Sequence, residues 1–219
     1  MRPRSNLRIA GAIHRRGEPG GTSFVLLRER RERTLAEWDE RQLIARLRTR
    51  DLEALAEVFR RYGDAMTTLA CSMLRDRSEA DDVVEDALLR IHGAGPGFRG
   101  ERGLRTWVLR IAANLCRDRL RRRKFDAGPV EDLEHVPGMS FDPVADWDIA
   151  LDQRSVAAAL ERAIEALPAE QREAVVLRHR LGLSYAEIVE TLGIPEGTVK
   201  SRLARALDAL RDAMKEQGS

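Results

Sequence analysis

The chain has 219 residues, 38 of them Lys or Arg and 36 Asp or Glu, with 43% hydrophobic and only 5% aromatic side chains. That length suits one large or two small domains, and so charged and aromatic-poor a composition fits a helical chain rather than a β-sandwich or barrel. No apolar run approaches the roughly 18 residues of a membrane helix, residues 9–13 and 24–27 are too short for a signal-peptide core of about 7–15 residues, and Cys71 and Cys116 do not make a disulfide framework; a protein of a reducing cytoplasm without membrane insertion is expected.

The net charge of +2 is unevenly distributed. Residues 1–33 hold nine basic and three acidic residues, together with Pro3, Gly17, Pro19, Gly20 and Gly21 and no sustained period. A disordered basic arm is expected over 1–35. A first helical domain follows over 36–124. Leu43, Ile44 and Leu47, then Leu52, Leu55, Val58 and Phe59, then Met66, Leu69, Ala70, Met73 and Leu74 recur at helical spacing. Ser78 with Asp81 reads as the capped start of a helix that runs through Ile91. Gly93, Gly95, Pro96, Gly97 and Gly100 then form a loop.

The next helix spans about 104–123. Leu104, Trp107, Val108, Ile111, Ala112 and Leu115 form its apolar stripe; Arg110, Asn114, Arg117, Asp118 and Arg121 form a polar face. Asn and Arg side chains suit base edges and phosphates. Trp107 reads as core. Phe98, just upstream, fits either the core or a stack on an unpaired base. Residues 99–124 carry ten basic and two acidic residues, and 125–152 carry eight acids and no Lys or Arg. A basic face and an acidic linker explain this as well as a phosphate-binding block beside a segment that repels nucleic acid.

Residues 153–215 read as a second domain of four helices, about 153–166, 169–181, 184–192 and 196–214. In the last two, Ser184 and Glu187 form a capping box, Gly193 supplies a left-handed turn residue, and Pro195 and Glu196 open the final helix. Val199, Leu203, Ala206, Leu207 and Leu210 form its apolar back, opposite Thr198, Lys200, Ser201, Arg202, Ala204 and Arg205. A helix-turn-helix that presents its second helix to a major groove needs that division, although a plain amphipathic hairpin shares the pattern. The fold class is therefore all-α, with two small domains joined by a flexible acidic linker that lets them bind at separate places.

Catalysis finds no support. Gly95, Gly97 and Gly100 match a dinucleotide fingerprint by letters, but no strand precedes them. His14, His92, His135 and His179 lack metal-ligand spacing. No catalytic residue, cofactor or metal is expected.

Three segments, ADDVVEDALLRIH (80–92), GFRGERGLRTWVLRIAANLCRDRLRRR (97–123) and ALPAEQREAVVLRHRLGLSYAEIVETLGIPEGTVKSRLARALDALR (166–211), resemble the extracytoplasmic-function (ECF) sigma factors of the sigma-70 family. Their order matches the two-domain type, and the intervening sequence is too short for the extra helical region of primary sigma factors. The resemblance implies a promoter-recognition subunit of bacterial RNA polymerase, acting in the cytoplasm, with region 2 at 36–124 and region 4 at 153–215. It implies that Asp82, Glu85, Asp86 and Arg90 face the polymerase β′ clamp. Phe98, Arg99 and Gly100 would receive a flipped −10 base, Asn114, Arg117 and Arg121 would contact the −10 strand, and Thr198, Lys200, Ser201, Arg202 and Arg205 the −35 duplex. The β flap and an anti-sigma factor are further partners common in the family. Glu85–Asp86 stand where the family often has Gln–Glu, and His92 where it often has Trp. The rival reading is a stand-alone helix-turn-helix regulator that binds its operator without polymerase.

Overall fold

The computed structural model describes residues 38–101, 103–126 and 151–216; the basic arm and the linker residues 127–150 lie outside the described residues. Among the described residues there are eight α-helices and no strand.

Helix α1 (Glu40–Arg48) starts at a capping box in which Asp39 accepts from the Gln42 amide at 2.8 Å and Gln42 Oε1 accepts from the Asp39 amide at 3.1 Å. Helix α2 (Leu52–Leu74) is one continuous helix where the apolar spacing suggests two stretches. They join through Gly63, which lies under the Phe59 ring; a Cβ there would sit 2.8 Å from that ring. Helix α3 (Arg77–Ala94) is capped by Asp76, which accepts from the Glu79 amide at 2.9 Å, and not by Ser78. Asp76 holds the extended conformation a cap requires, whereas Ser78 is already inside the first turn. The helix passes Ile91 and closes in a 3₁₀ turn, Gly95–Gly97. Helix α4 (Leu104–Asp126) starts where Glu40 of α1 accepts from the Leu104 amide at 2.8 Å, which satisfies one of the orphan donors of its first turn. Leu43, Leu55, Met66, Leu69, Leu88, Ile91, Leu104 and Leu109 are all fully buried between these four helices. Each contributes about 1.5–3 kcal/mol of burial free energy.

The second group begins with α5 (Leu151–Ala166), so Phe125 and Asp126 continue α4 and Leu151 and Asp152 begin α5. Helix α6 (Ala169–Val175) widens into a π turn, Val176–Arg180. Helix α7 (Tyr185–Leu192) carries the expected Ser184–Glu187 capping box, and Gly193 ends it at φ 68°. Helix α8 (Glu196–Glu216) follows. Val199, Leu203, Ala206 and Leu210 face inward, but Leu207 is 42% exposed. The inward seam steps 4-3-4 along the helix, which leaves Leu207 on its edge.

The two groups are packed against one another: α4 lies on α7, and α2 on α6.

Candidate nucleic-acid interface

The helix-turn-helix is built as its sequence dictates. The Ser184 hydroxyl and amide both donate to Glu187 at 2.7 Å, which holds the Glu187 carboxyl below its usual range. The left-handed Gly193 turns the chain into α8. On the outer face of α8, Lys200 and Arg205 are exposed. Lys200 pairs with Glu196 at 2.8 Å, which raises its pKa, and its Nζ lies 5.9 Å from the centre of the Tyr185 ring. Ser201 donates to the Thr198 carbonyl at 3.0 Å, and both are half-buried. Arg202 differs from its neighbours. It is only 17% exposed and pairs with Glu170 of α6 at 2.5 Å, so it braces two helices.

The glycine loop places Phe98 against Trp107 of α4. Their rings stack with centroids 4.1 Å apart at an interplanar angle of 15°. Both are only partly buried. They line an open cleft of about 410 Å³ with Ala94, Gly97, Arg99, Gly100 and Glu101. Arg99 is exposed, and Gly100 takes a left-handed backbone at φ 79°. One face of Phe98 packs on Trp107, and the residue also borders the cleft.

Farther along α4 the polar face divides. Asn114 is exposed, and its Oδ1 accepts from Arg117 Nη2 at 2.9 Å. Arg117 also donates to the Leu192 carbonyl at 3.4 Å and lies 3.5 Å from the Glu173 carboxylate. It is thus engaged by the second helical group. Arg121 is 78% exposed and pairs with Asp118.

The acidic face of α3 brings Asp82, Glu85 and Asp86 together, with Arg90 exposed farther along. Burial, and then the neighbouring Asp86 and Asp82 charges, raise the Glu85 pKa. Arg119 of α4 pairs with Asp82 at 3.4 Å and with Asp86 at 3.0 Å. Arg123 continues the seam, 2.6 Å from Glu79 and donating to the Leu74 carbonyl at 3.0 Å.

Three residues that the sequence reading did not single out carry much of this arrangement. Arg119 sits in a dense run of arginines, and nothing in its spacing separates it from them. Arg172 and Glu173 lie in a short helix and are almost wholly buried. Burial, opposed by Arg117 and Arg202 and reinforced by Glu170, pushes the Glu173 carboxyl up to about 7. Cys116 is buried and its thiol is pushed up to about 12 by that burial; Cys71 is half-buried and also raised. Protonated thiols are poor nucleophiles. Among the described residues no cluster of His, Cys, Asp or Glu is arranged to hold a metal ion, and no helix is long and apolar enough to cross a membrane.

Comparison with known proteins matches this arrangement at both ends. Residues 58–125 match the model of Sigma-70 region 2, and residues 157–210 that of Sigma-70, region 4. The ECF RNA polymerase sigma factor SigM of Mycobacterium tuberculosis is 41% identical over 170 residues, covering 78% of this chain and 82% of that protein. The ECF RNA polymerase sigma factor SigW of Bacillus subtilis is 31% identical over 178 residues, covering 79% and 95%. The fold is similar to CnrH in its complex with the cytosolic domain of CnrY, with a TM-score of 0.60 and 24% identity over 81% of this chain and 97% of that one. It is also similar to the sigma factor RpoE of Bartonella quintana in complex with the anti-sigma factor NepR, with a TM-score of 0.57 and 24% identity over 73% and 95%. With both family models matched in order on helices that build a cleft-bearing bundle and a helix-turn-helix, this chain belongs to the ECF RNA polymerase sigma factors of the sigma-70 family.

Proposed function

We infer that this chain binds core RNA polymerase, recognises promoter DNA and directs transcription initiation. The observation that carries this reading is the pairing on one chain of a helix-turn-helix, whose outer face presents Lys200 and Arg205, with a stacked Phe98–Trp107 cleft beside a basic helix. The first part suits duplex recognition in a major groove. The second suits capture of an unstacked base, where an aromatic platform is worth about 1–3 kcal/mol per base and helps offset the melting cost. Neither part needs high affinity alone, because tethering through polymerase raises the effective concentration of both.

In this reading region 2 spans 36–124 and region 4 spans 153–215. Phe98, Arg99 and Gly100 hold the flipped −10 base, and Asn114, Arg117 and Arg121 take the −10 strand. Lys200 and Arg205 meet the −35 duplex directly, with Thr198 and Ser201 in the first turns and Arg202 acting through helix placement. Asp82, Glu85, Asp86 and Arg90 form the face for the polymerase clamp, and region 4 meets the flap. The chain acts as an initiation factor without chemistry of its own, in the cytoplasm where polymerase works. An anti-sigma factor is a natural partner, as the solved complex of RpoE with NepR illustrates for that protein.

Run-off transcription from genomic fragments with bacterial core polymerase tests this. Discrete starts that require both polymerase and this chain are expected. Absence of stimulation, combined with tight duplex binding by the chain alone, would overturn it in favour of a stand-alone regulator.

A further inference from the structure

Helix α1 lies along the glycine loop in the opposite chain direction. A Cβ on Gly95 would sit 2.5 Å from the Leu47 carbonyl oxygen, and one on Gly100 would sit 3.1 Å from Ile44 Cδ1. At the far end Glu40 Oε1 accepts from the Leu104 amide at 2.8 Å. Leu47, Ile44 and Glu40 are thus matched to Gly95, Gly100 and Leu104 in turn, and the first turn of α1 stands where the loop enters α4. Glu40 is about 6 Å along the helix axis from Ile44, so the start of α1 is one turn from the Gly100 rim of the Phe98 cleft.

The chain is fastened where it enters this helix. The Arg46 guanidinium covers the Trp38 ring, 4.2 Å from its centroid, and Arg61 of α2 donates to the Trp38 carbonyl. Arg61 is itself held at 2.5 Å by Glu57, whose carboxylate is fully buried, and Arg60 takes the same carboxylate at 2.6 Å. A stacked ring, a bonded carbonyl and a buried ion pair therefore fix the point at which residues 1–37 join the fold.

Residues 1–33 hold nine arginines and three glutamates, net +6. Arg28, Arg30, Arg31 and Arg33 are the nearest of these arginines to the anchor. Arg33 is five positions from Trp38 and Arg28 is ten, distances that full extension limits to about 18 and 36 Å. The rim of the cleft falls within that reach. Carboxylates beside the anchor are already engaged: Asp39 accepts from the Gln42 amide, Glu40 from the Leu104 amide and Glu57 from two guanidiniums. Glu101 of the loop is exposed, and it balances at most one of the arm's charges. So much positive charge delivered to this rim suits a polyanion, and guanidiniums grip phosphates through paired N–H donors.

We propose that Arg28, Arg30, Arg31 and Arg33 form a phosphate-binding element, delivered by α1 to the rim of the Phe98 cleft, that grips the DNA backbone beside the −10 base. The proposal rests on the sigma-factor reading for the identity of the strand at the cleft. It adds a contact made from α1, separate from those of the glycine loop and α4. Tethering at Trp38 keeps these side chains at a high effective concentration beside the strand.

Holoenzyme assembled from core polymerase and the full chain tests this, with a promoter fragment and the substitution Arg31→benzoylphenylalanine. Photo-crosslinks to nucleotides in and beside the −10 element are expected. Crosslinks confined to polymerase subunits, or to residues 127–150 of this chain, would overturn the proposal. Promoter affinity across a salt series gives a second readout. R28Q/R30Q/R31Q/R33Q should lower the slope of log K against log salt by about 3, since four single-strand phosphate contacts contribute about 0.7 each. R28K/R30K/R31K/R33K keeps the charge and should keep the slope. An unchanged slope in the Gln variant, or equal losses in both variants, would also overturn it. Run-off transcription by the unmodified chain separates the two readings. Product without a crosslink to DNA removes the arm contact alone; no product removes the sigma-factor reading and this proposal with it.

Discussion

Replacing Arg172 with Met should be the most damaging single change in the second helical group. The Arg172 side chain is buried, and no carboxylate pairs with it. It donates instead to three carbonyls: Glu165 at 2.7 Å, Leu167 at 3.0 Å and Met73 at 3.2 Å. The first two end α5 and its turn, and the third lies in the last turn of α2. One guanidinium thus caps two helix C-termini from different parts of the chain. Burial lowers its pKa to about 10, so it remains charged at neutral pH. Met keeps an apolar stem of similar shape but ends short of the guanidinium and donates nothing. Each stranded carbonyl costs about 1–3 kcal/mol, and relief of the buried charge returns part of that, so a net loss of about 3–5 kcal/mol is expected. For a chain of this size that lowers Tm by roughly 10 °C. R172K should recover only part of the loss, since a compact ammonium cannot reproduce the planar fork. Urea unfolding followed by circular dichroism measures both. A loss below about 1 kcal/mol in the Met variant would refute the idea that this side chain caps the two helices.

Removing either exposed cation of α8, by K200A or R205A, should weaken −35-dependent initiation and reduce the salt slope of binding by about one, as loss of one phosphate contact does; run-off yields across a salt series measure it. F98A should cut open-complex formation by about 1–3 kcal/mol of lost stacking, while F98W keeps the platform and most of the activity; permanganate reactivity of unpaired thymines reports it. G193A should cost about 1–2 kcal/mol from its φ of 68° alone, because the new Cβ finds ordinary room 3.5 Å from Arg110. G93A, which meets open space late in α3, should instead gain about 0.5–1 kcal/mol; urea midpoints compare the two.

What was legible in the sequence was local. The Ser184–Glu187 box, the Gly193 turn and the inner seam of α8 follow from residues within one or two turns of each other, and the structure builds them as read except for Leu207, which lies on the edge of the seam. The cap of α3 was misassigned by two positions because Asp76 and Ser78 are both good caps and only backbone conformation chooses between them. The partners of the charged residues were not legible. Arg119 and Arg123 reach Asp82, Asp86 and Glu79, more than 30 positions away in the chain, and periodicity along α4 cannot say which face meets which helix. Nor can it show that the last turn of α7 takes up Arg110 and Arg117, since backbone carbonyls leave no mark in a residue pattern.

That division of α4 changes what its charge means. By charge alone residues 99–124 fit a solvated basic face as well as a phosphate-binding block, and in the structure their arginines have three different destinations. Arg119 and Arg123 neutralise the acidic face of α3 and fix the bundle. Arg105, Arg110 and Arg117 meet carbonyls of the second group. Arg99, Arg121, Arg122 and Lys124 remain exposed. The exposed four can attract DNA over a Debye length of about 8 Å at physiological salt, but they flank the central stretch of α4 rather than occupy it. Initial attraction and final seating are therefore separable. The first needs only the exposed four; the centre of α4 holds Arg110 and Arg117, whose guanidiniums already meet carbonyls of α7. A nucleic-acid strand seated on the centre of α4 therefore has to compete with contacts that these arginines already make.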